Sequence, residues 1–166
     1  MDNINHVTIQ AKDVIDFGNQ QLRDSNHEFG GAIVGKLEGT HLKVGKIIPM
    51  GTGARPGVDE FYIDEALAAE TQKKVTDSDA DFFGIAHTHG PKIKNREPSA
   101  EDFVTAKKTP ISMLVKVDPQ GGGRFEFFTG DRRNIPFTVI GMDGRTYTNN
   151  AANDVSFPNS CWGIAA

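Results

Sequence analysis

The chain has 166 residues, 37% of them hydrophobic and 24% charged, with a formal net charge of -4 at pH 7. This length suits one domain that buries a core without staples, and the mildly acidic balance lacks the basic face of a general nucleic-acid binder. A single cysteine, Cys161, excludes both an intramolecular disulfide and a thiolate-rich zinc site.

The N-terminus, Met1 to His6, has no basic stretch followed by an apolar run, so it does not read as a signal peptide. No apolar stretch is long enough to span a bilayer, and the expectation is a cytoplasmic protein, or one delivered into a target cell without a cleavable signal. Ala11 to Asp24 is an amphipathic helix, with Val14, Ile15, Phe17, Gly18 and Leu22 opposite Lys12, Asp16, Gln20 and Arg23. Glu28–Leu37 and Leu42–Met50 are strands joined by the turn Glu38-Gly39-Thr40, a hairpin. Gly51 to Gly57 is a glycine-rich loop. It lacks the Gly-Lys-Ser/Thr ending of a phosphate loop and reads as a rim.

Ile63 to Thr76 is a helix built from good formers, with Asp64 as its N-cap. Asp81 to Thr88 is a nearly continuous apolar run, a buried strand. His89 to Pro98 is a polar loop, Ser99 to Lys108 a helix stopped by Pro110, and Ile111–Val117 and Arg124–Thr129 are strands around a Gly-rich turn. Phe137 to Tyr147 holds two strand-like runs around Asp143-Gly144, a good hairpin turn. Residues 1–147 thus form a single α/β (α+β) domain, a mixed sheet packed by helices. Residues 148–166 form a C-terminal tail whose bulky groups are Phe157, Cys161, Trp162 and Ile164; packing back and disorder are both open to it.

The stretch that carries chemistry is His87-Thr88-His89, followed by Ser99-Ala100-Glu101-Asp102. Side chains two apart on a strand share a face, so both imidazoles can point at one ion. Ser99 and Asp102 are three apart at a helix start and also share a face. Two His and one carboxylate make the three-ligand set common to catalytic zinc, which leaves a position open for water and lowers that water's pKa to about 7. Glu28 is a candidate general base and then acid. The Ser99 hydroxyl is a candidate donor to the oxyanion. Each residue also has a plainer reading. Ser99-x-x-Asp102 is a common helix cap, the two His can be satisfied strand-end residues, and Glu28 an exposed strand-start charge. The joint pattern favours the metal site.

Other metal patterns fit poorly. A metallo-β-lactamase needs an Asp where Pro91 stands, a zinc deaminase needs paired cysteines, and a cupin using Glu97 has the wrong glycine spacing. His6, His27 and His41 show no partner pattern and read as surface residues. Lys92, Lys94 and Arg96, and the pair Arg132 and Arg133, read as solvated loop charges.

At Glu28, His87-x-His89 and Ser99-x-x-Asp102 the sequence resembles the JAB/JAMM family, the metallopeptidases with an active MPN domain, over roughly residues 10–130. It is most similar to bacterial JAB-like domains associated with polymorphic toxins. The resemblance implies a cytidine-deaminase-like, JAMM-type domain binding Zn2+ through His87, His89 and Asp102. It implies Glu28 as acid/base and Ser99 as support for the tetrahedral intermediate. The implied activity is zinc-dependent peptidase or isopeptidase hydrolysis of an amide bond in a protein or peptide, such as a ubiquitin-like tail or a cell-wall peptide. If the toxin analogy holds, an immunity protein is a further partner. The alternative is a non-catalytic MPN-like binding or scaffold module. Nine residues separate His89 from Ser99, where eukaryotic members usually have seven, and Gly90-Pro91 replaces the usual Pro; the longer loop reshapes a cleft wall.

Overall fold

The computed structural model describes residues 3–23, 29–51, 65–89, 98, 100–117, 123–150 and 157–164. Their order is β1 (His6–Gln10), α1 (Ala11–Arg23), β2 (Gly30–Glu38), β3 (His41–Gly51), α2 (Glu65–Asp77), β4 (Asp81–His89) and α3 (Ala100–Ala106). Then come β5 (Ile111–Val117), β6 (Gly123–Phe128), β7 (Asn134–Ile135), β8 (Phe137–Ile140), β9 (Thr146–Asn149) and a 3-10 turn at Asn159–Trp162.

The strands form one mixed sheet in the order β7-β6-β5-β4-β2-β3-β1-β8-β9. The β2–β3 hairpin turns through Gly39 and Thr40, with positive φ at Gly39 only, the pattern of a type II′ loop whose twist matches the strands. β4 and β5 run parallel, so the chain must cross over between them, and α3 lies in that crossover. At Gly84 the two backbones come so close that a Cβ would collide with the Ile111 carbonyl; glycine there permits the approach.

One face of the sheet is closed by α1. Ala11, Val14 and Phe17 recur at helical spacing and are buried, in one cluster with Ile33, Leu42, Met113, Phe125, Phe127 and Phe137. The C-terminal stretch packs into the same cluster through Cys161 and Trp162, with Phe157 and Ile164 beside them. The other face carries α2 and α3. There the apolar groups fall into two smaller clusters, one around Ala32, Ile48 and Met50 near Val75, the other joining Ala106 and Phe103 to Leu114 and Phe128. The metal-type residues lie on this second face.

The architecture is the expected mixed α+β sheet with packed helices. The differences are local. β1 is not among the elements read from the sequence, which begin at Ala11; His6–Gln10 alternates with Val7 and Ile9 buried and pairs in parallel with both β3 and β8. His89 ends β4 and does not open the loop. His6 and His41 are corrected from lone surface residues to a pair. Their rings meet edge to face at 5.1 Å, with His6 Nε2 2.8 Å from Thr138 Oγ1 and His41 Nε2 2.6 Å from Thr8 Oγ1. Register explains the pairing, because His6 and His41 are direct partners across β1 and β3. Arg132 and Arg133 are exposed turn residues, as read from the sequence, and each also has a partner. The Arg132 guanidinium stacks 4.5 Å from the Phe103 ring centre, and Arg133 donates to the Ile4 carbonyl and Asn3 Oδ1. The loop read as a rim from 52 onward, Asp64, His27 and the basic spot Lys92, Lys94, Arg96 lie outside the described residues. Among the described residues no helix is long and apolar enough to cross a membrane.

Candidate metal centre

β4 leaves the apolar layer at its C-terminal end with His87-Thr88-His89. The two histidines point to the α2/α3 side, because His87 is in register with Leu114, which packs under α3. α3 is seated by Phe103 and Ala106, with Phe103 edge-on to Phe128 at 5.2 Å. Asp102 stands one turn before Ala106, so it shares the inward side of that helix. Seating α3 on the sheet therefore delivers the carboxylate to the histidines.

The geometry closes well. Asp102 Oδ1 is 3.3 Å from His87 Nε2, and Asp102 Oδ2 is 3.7 Å from His89 Nε2. Donor atoms of all three residues lie within 4.8 Å of one another. Two donors each about 2 Å from a tetrahedral zinc stand roughly 3.3 Å apart, so these spacings match a shared ion. The imidazoles meet at 5.1 Å with planes 68° apart. Their side chains are 10% and 4% exposed against 17% for Asp102.

A satisfied strand-end histidine needs partners for its buried nitrogens. His87 Nε2 is buried and makes no hydrogen bond among the described residues, although the Asp102 carboxylate faces it. A buried ring nitrogen that makes no hydrogen bond is costly, and a bound cation would satisfy it. The donor set of two imidazoles and one carboxylate suits zinc or a similar divalent ion. His87, His89 and Asp102 thus form a group able to hold a metal ion. Cys161 has no part in it: the residue lies in the opposite core, and burial, with nearby Asp143, pushes its thiol up to about 11.

Of the five residues singled out in the sequence, the structure brings these three together. Glu28 and Ser99 lie outside the described residues. The neighbour of Glu28 is well placed: Phe29 N–H donates to Thr88 Oγ1 at 2.9 Å, and Thr88 N–H donates to the Phe29 carbonyl at 2.9 Å. The start of β2 is thereby locked to the residue between the two histidines. Thr88, fully buried, was not singled out from the sequence, because its role depends on a strand far earlier in the chain. Two buried charges on the same face, Lys116 and Glu126, were missed as well. A Lys and a Glu at inward positions of two apolar strands were the available signal.

A protein from Desulfitobacterium hafniense, known by its solution structure, is similar in fold, with a TM-score of 0.63 at 17% identity over 80% of this chain and 92% of that one. A JAB1/MPN domain protein from Archaeoglobus fulgidus, known by its crystal structure, gives a TM-score of 0.48 at 13% identity over 80% of this chain and 97% of that one. No functionally curated protein matches the sequence. A family model described as prokaryotic homologs of the JAB domain matches residues 11–129. That segment runs from the start of α1 to the end of β6 and contains every metal-type residue named above. By this match, over most of its length, the chain belongs to the prokaryotic JAB-domain family.

Proposed function

We propose that this chain is a zinc-dependent peptidase or isopeptidase that hydrolyses an amide bond. The observation that carries the reading is the convergence of His87, His89 and Asp102, two from the end of β4 and one from α3, within 4.8 Å. A zinc ion held by these three residues supplies Lewis acidity, which makes water acidic enough to serve as a nucleophile near neutral pH.

The protein's own groups then handle protons and orientation. Glu28 takes the proton of the attacking water and returns it to the leaving amine nitrogen, a role in general worth about 10²–10⁴ in rate. The locked Phe29–Thr88 pair supports this assignment, since it ties the residue next to Glu28 to the His-x-His strand. The Ser99 hydroxyl donates to the oxygen on which negative charge develops. Asp102 supplies the negative charge that a divalent cation requires beside two neutral imidazoles. The substrate class is an amide in a protein or peptide.

His89→Ala should remove bound zinc, read by elemental analysis, while the protein stays folded; unchanged metal content rejects the site. Glu28→Gln should keep stoichiometric zinc and lose turnover in a peptidase screen. Turnover that survives removes Glu28 from the acid/base role.

A further inference from the structure

Across β4, β5 and β6 the register sets two rows of side chains on the face of the triad: His87–Leu114–Glu126 and His89–Lys116–Arg124. Two charged residues in these rows are almost fully buried, Lys116 at 0% and Glu126 at 7% exposed. They sit diagonally, with Lys116 Nζ 3.7 Å from Glu126 Oε2. On the β2 side, the residue in register with His87 is Gly30, which offers no side-chain wall. The wall comes from β5, Leu114 beside His87 and Lys116 beside His89, one strand spacing of about 4.8 Å away.

As a wall alone, lysine is a poor choice. Burying an ammonium and a carboxylate carries a desolvation penalty that an apolar pair avoids. Lysine has two parts, however: an aliphatic stem that packs like Met or Leu, and a charged head. Glu126 stands on β6, across β5 from the histidines, and holds that head on the far side.

We propose that Glu126 is a positioning residue of the metal centre: it restrains the Lys116 ammonium on the β6 side, so that the stem braces the His89 ring while the like charge is kept from the cation. The proposal rests on the reading that His87, His89 and Asp102 hold a divalent ion. It assigns no proton transfer to either residue. Released from Glu126, the ammonium competes with the metal for the Asp102 carboxylate and the space beside His89.

The test is Co2+ and Zn2+ affinity by competition with a chromophoric chelator, together with the Co2+ visible spectrum, on three variants of the full chain. Glu126→Gln should weaken metal binding by about tenfold to a hundredfold, the usual range for losing a residue that supports a ligand, and alter the Co2+ bands. Lys116→Met keeps the stem without the charge and should bind as the wild type does. The double variant Lys116→Met/Glu126→Gln should recover wild-type affinity and spectrum. A folded Glu126→Gln with unchanged affinity overturns the proposal, as does loss of affinity in Lys116→Met or failure of the double variant to recover. If Glu126→Gln does not fold, the other two variants still decide. A wild type that takes up no Co2+ overturns the metal centre itself, whereas a wild type that binds Co2+ beside an unaffected Glu126→Gln overturns the positioning role alone.

Discussion

The two faces of the sheet differ in what they bury. Under α1, aromatic and aliphatic groups from eight strands, β1 to β8, and the C-terminal 3-10 turn form one continuous cluster. Under α2 and α3 the apolar groups split into two small clusters, and this face carries His87, His89, Lys116 and Glu126, all nearly or fully buried. The first face supplies stability in bulk. The second gives up continuous packing to hold polar groups at low exposure, where their interactions are strong and their geometry is tightly held. A metal ligand set needs that second environment, and the first face makes it tolerable.

This contrast is open to direct attack. The largest effect should come from the α1 face. Phe127→Ala removes a ring that is 1% exposed and should lower stability by about 3–5 kcal/mol, read as a shift in urea midpoint. Zinc per folded molecule should stay unchanged; parallel loss of both would deny that the faces divide the work. Next is the metal itself. Zinc at about 100 times its dissociation constant should stabilise the wild type by about 2.7 kcal/mol, seen as a rise in Tm that EDTA reverses. His89→Ala should lose that rise, and a rise that persists would place the ion elsewhere.

A smaller effect is expected at the seam between strands. Thr88→Val keeps the shape but deprives the Phe29 N–H of its acceptor, at about 1–3 kcal/mol. If the start of β2 matters to catalysis, turnover should fall further than the loss of folded protein explains, which kcat measured well below the unfolding transition will reveal. The smallest effect lies far from the site, at the His6–His41 pair. Burial, and then the facing His41 ring, hold the His6 imidazole below its ordinary value of 6.5. As pH falls through 6.5 the unfolded chain takes up the proton before the folded one does, so stability declines below that pH and levels off only once the folded His6 has also titrated. His6→Gln should flatten this limb of a stability-against-pH curve without altering metal content.

Much of the site was legible because it is local. His-x-His at a strand end puts two side chains on a common face by backbone period alone. Whether Asp102 merely capped its own helix or faced the histidines was undecidable from spacing, since a cap and a ligand use the same offset. The seating of Phe103 and Ala106 on Leu114 and Phe128 settled it. β1 escaped notice for a related reason. Its alternation of Val7 and Ile9 is short and runs straight into α1 with no turn between them, and its partners are strands distant in the chain.

The amino-acid sequence alone determined what repeats over a few residues: the amphipathic face of α1, the Gly39 turn, the run of β4, and the types of residue fit to bind a cation. Only the tertiary structure decided what rests on strand order and register. It placed Asp102 within reach of both imidazoles, Thr88 against Phe29, Lys116 beside His89, and His6 against His41. Local patterns follow from the fixed geometry of the backbone, which each short segment carries by itself. Pairings across the sheet follow from the one arrangement that buries both faces at once, and no single segment contains that information.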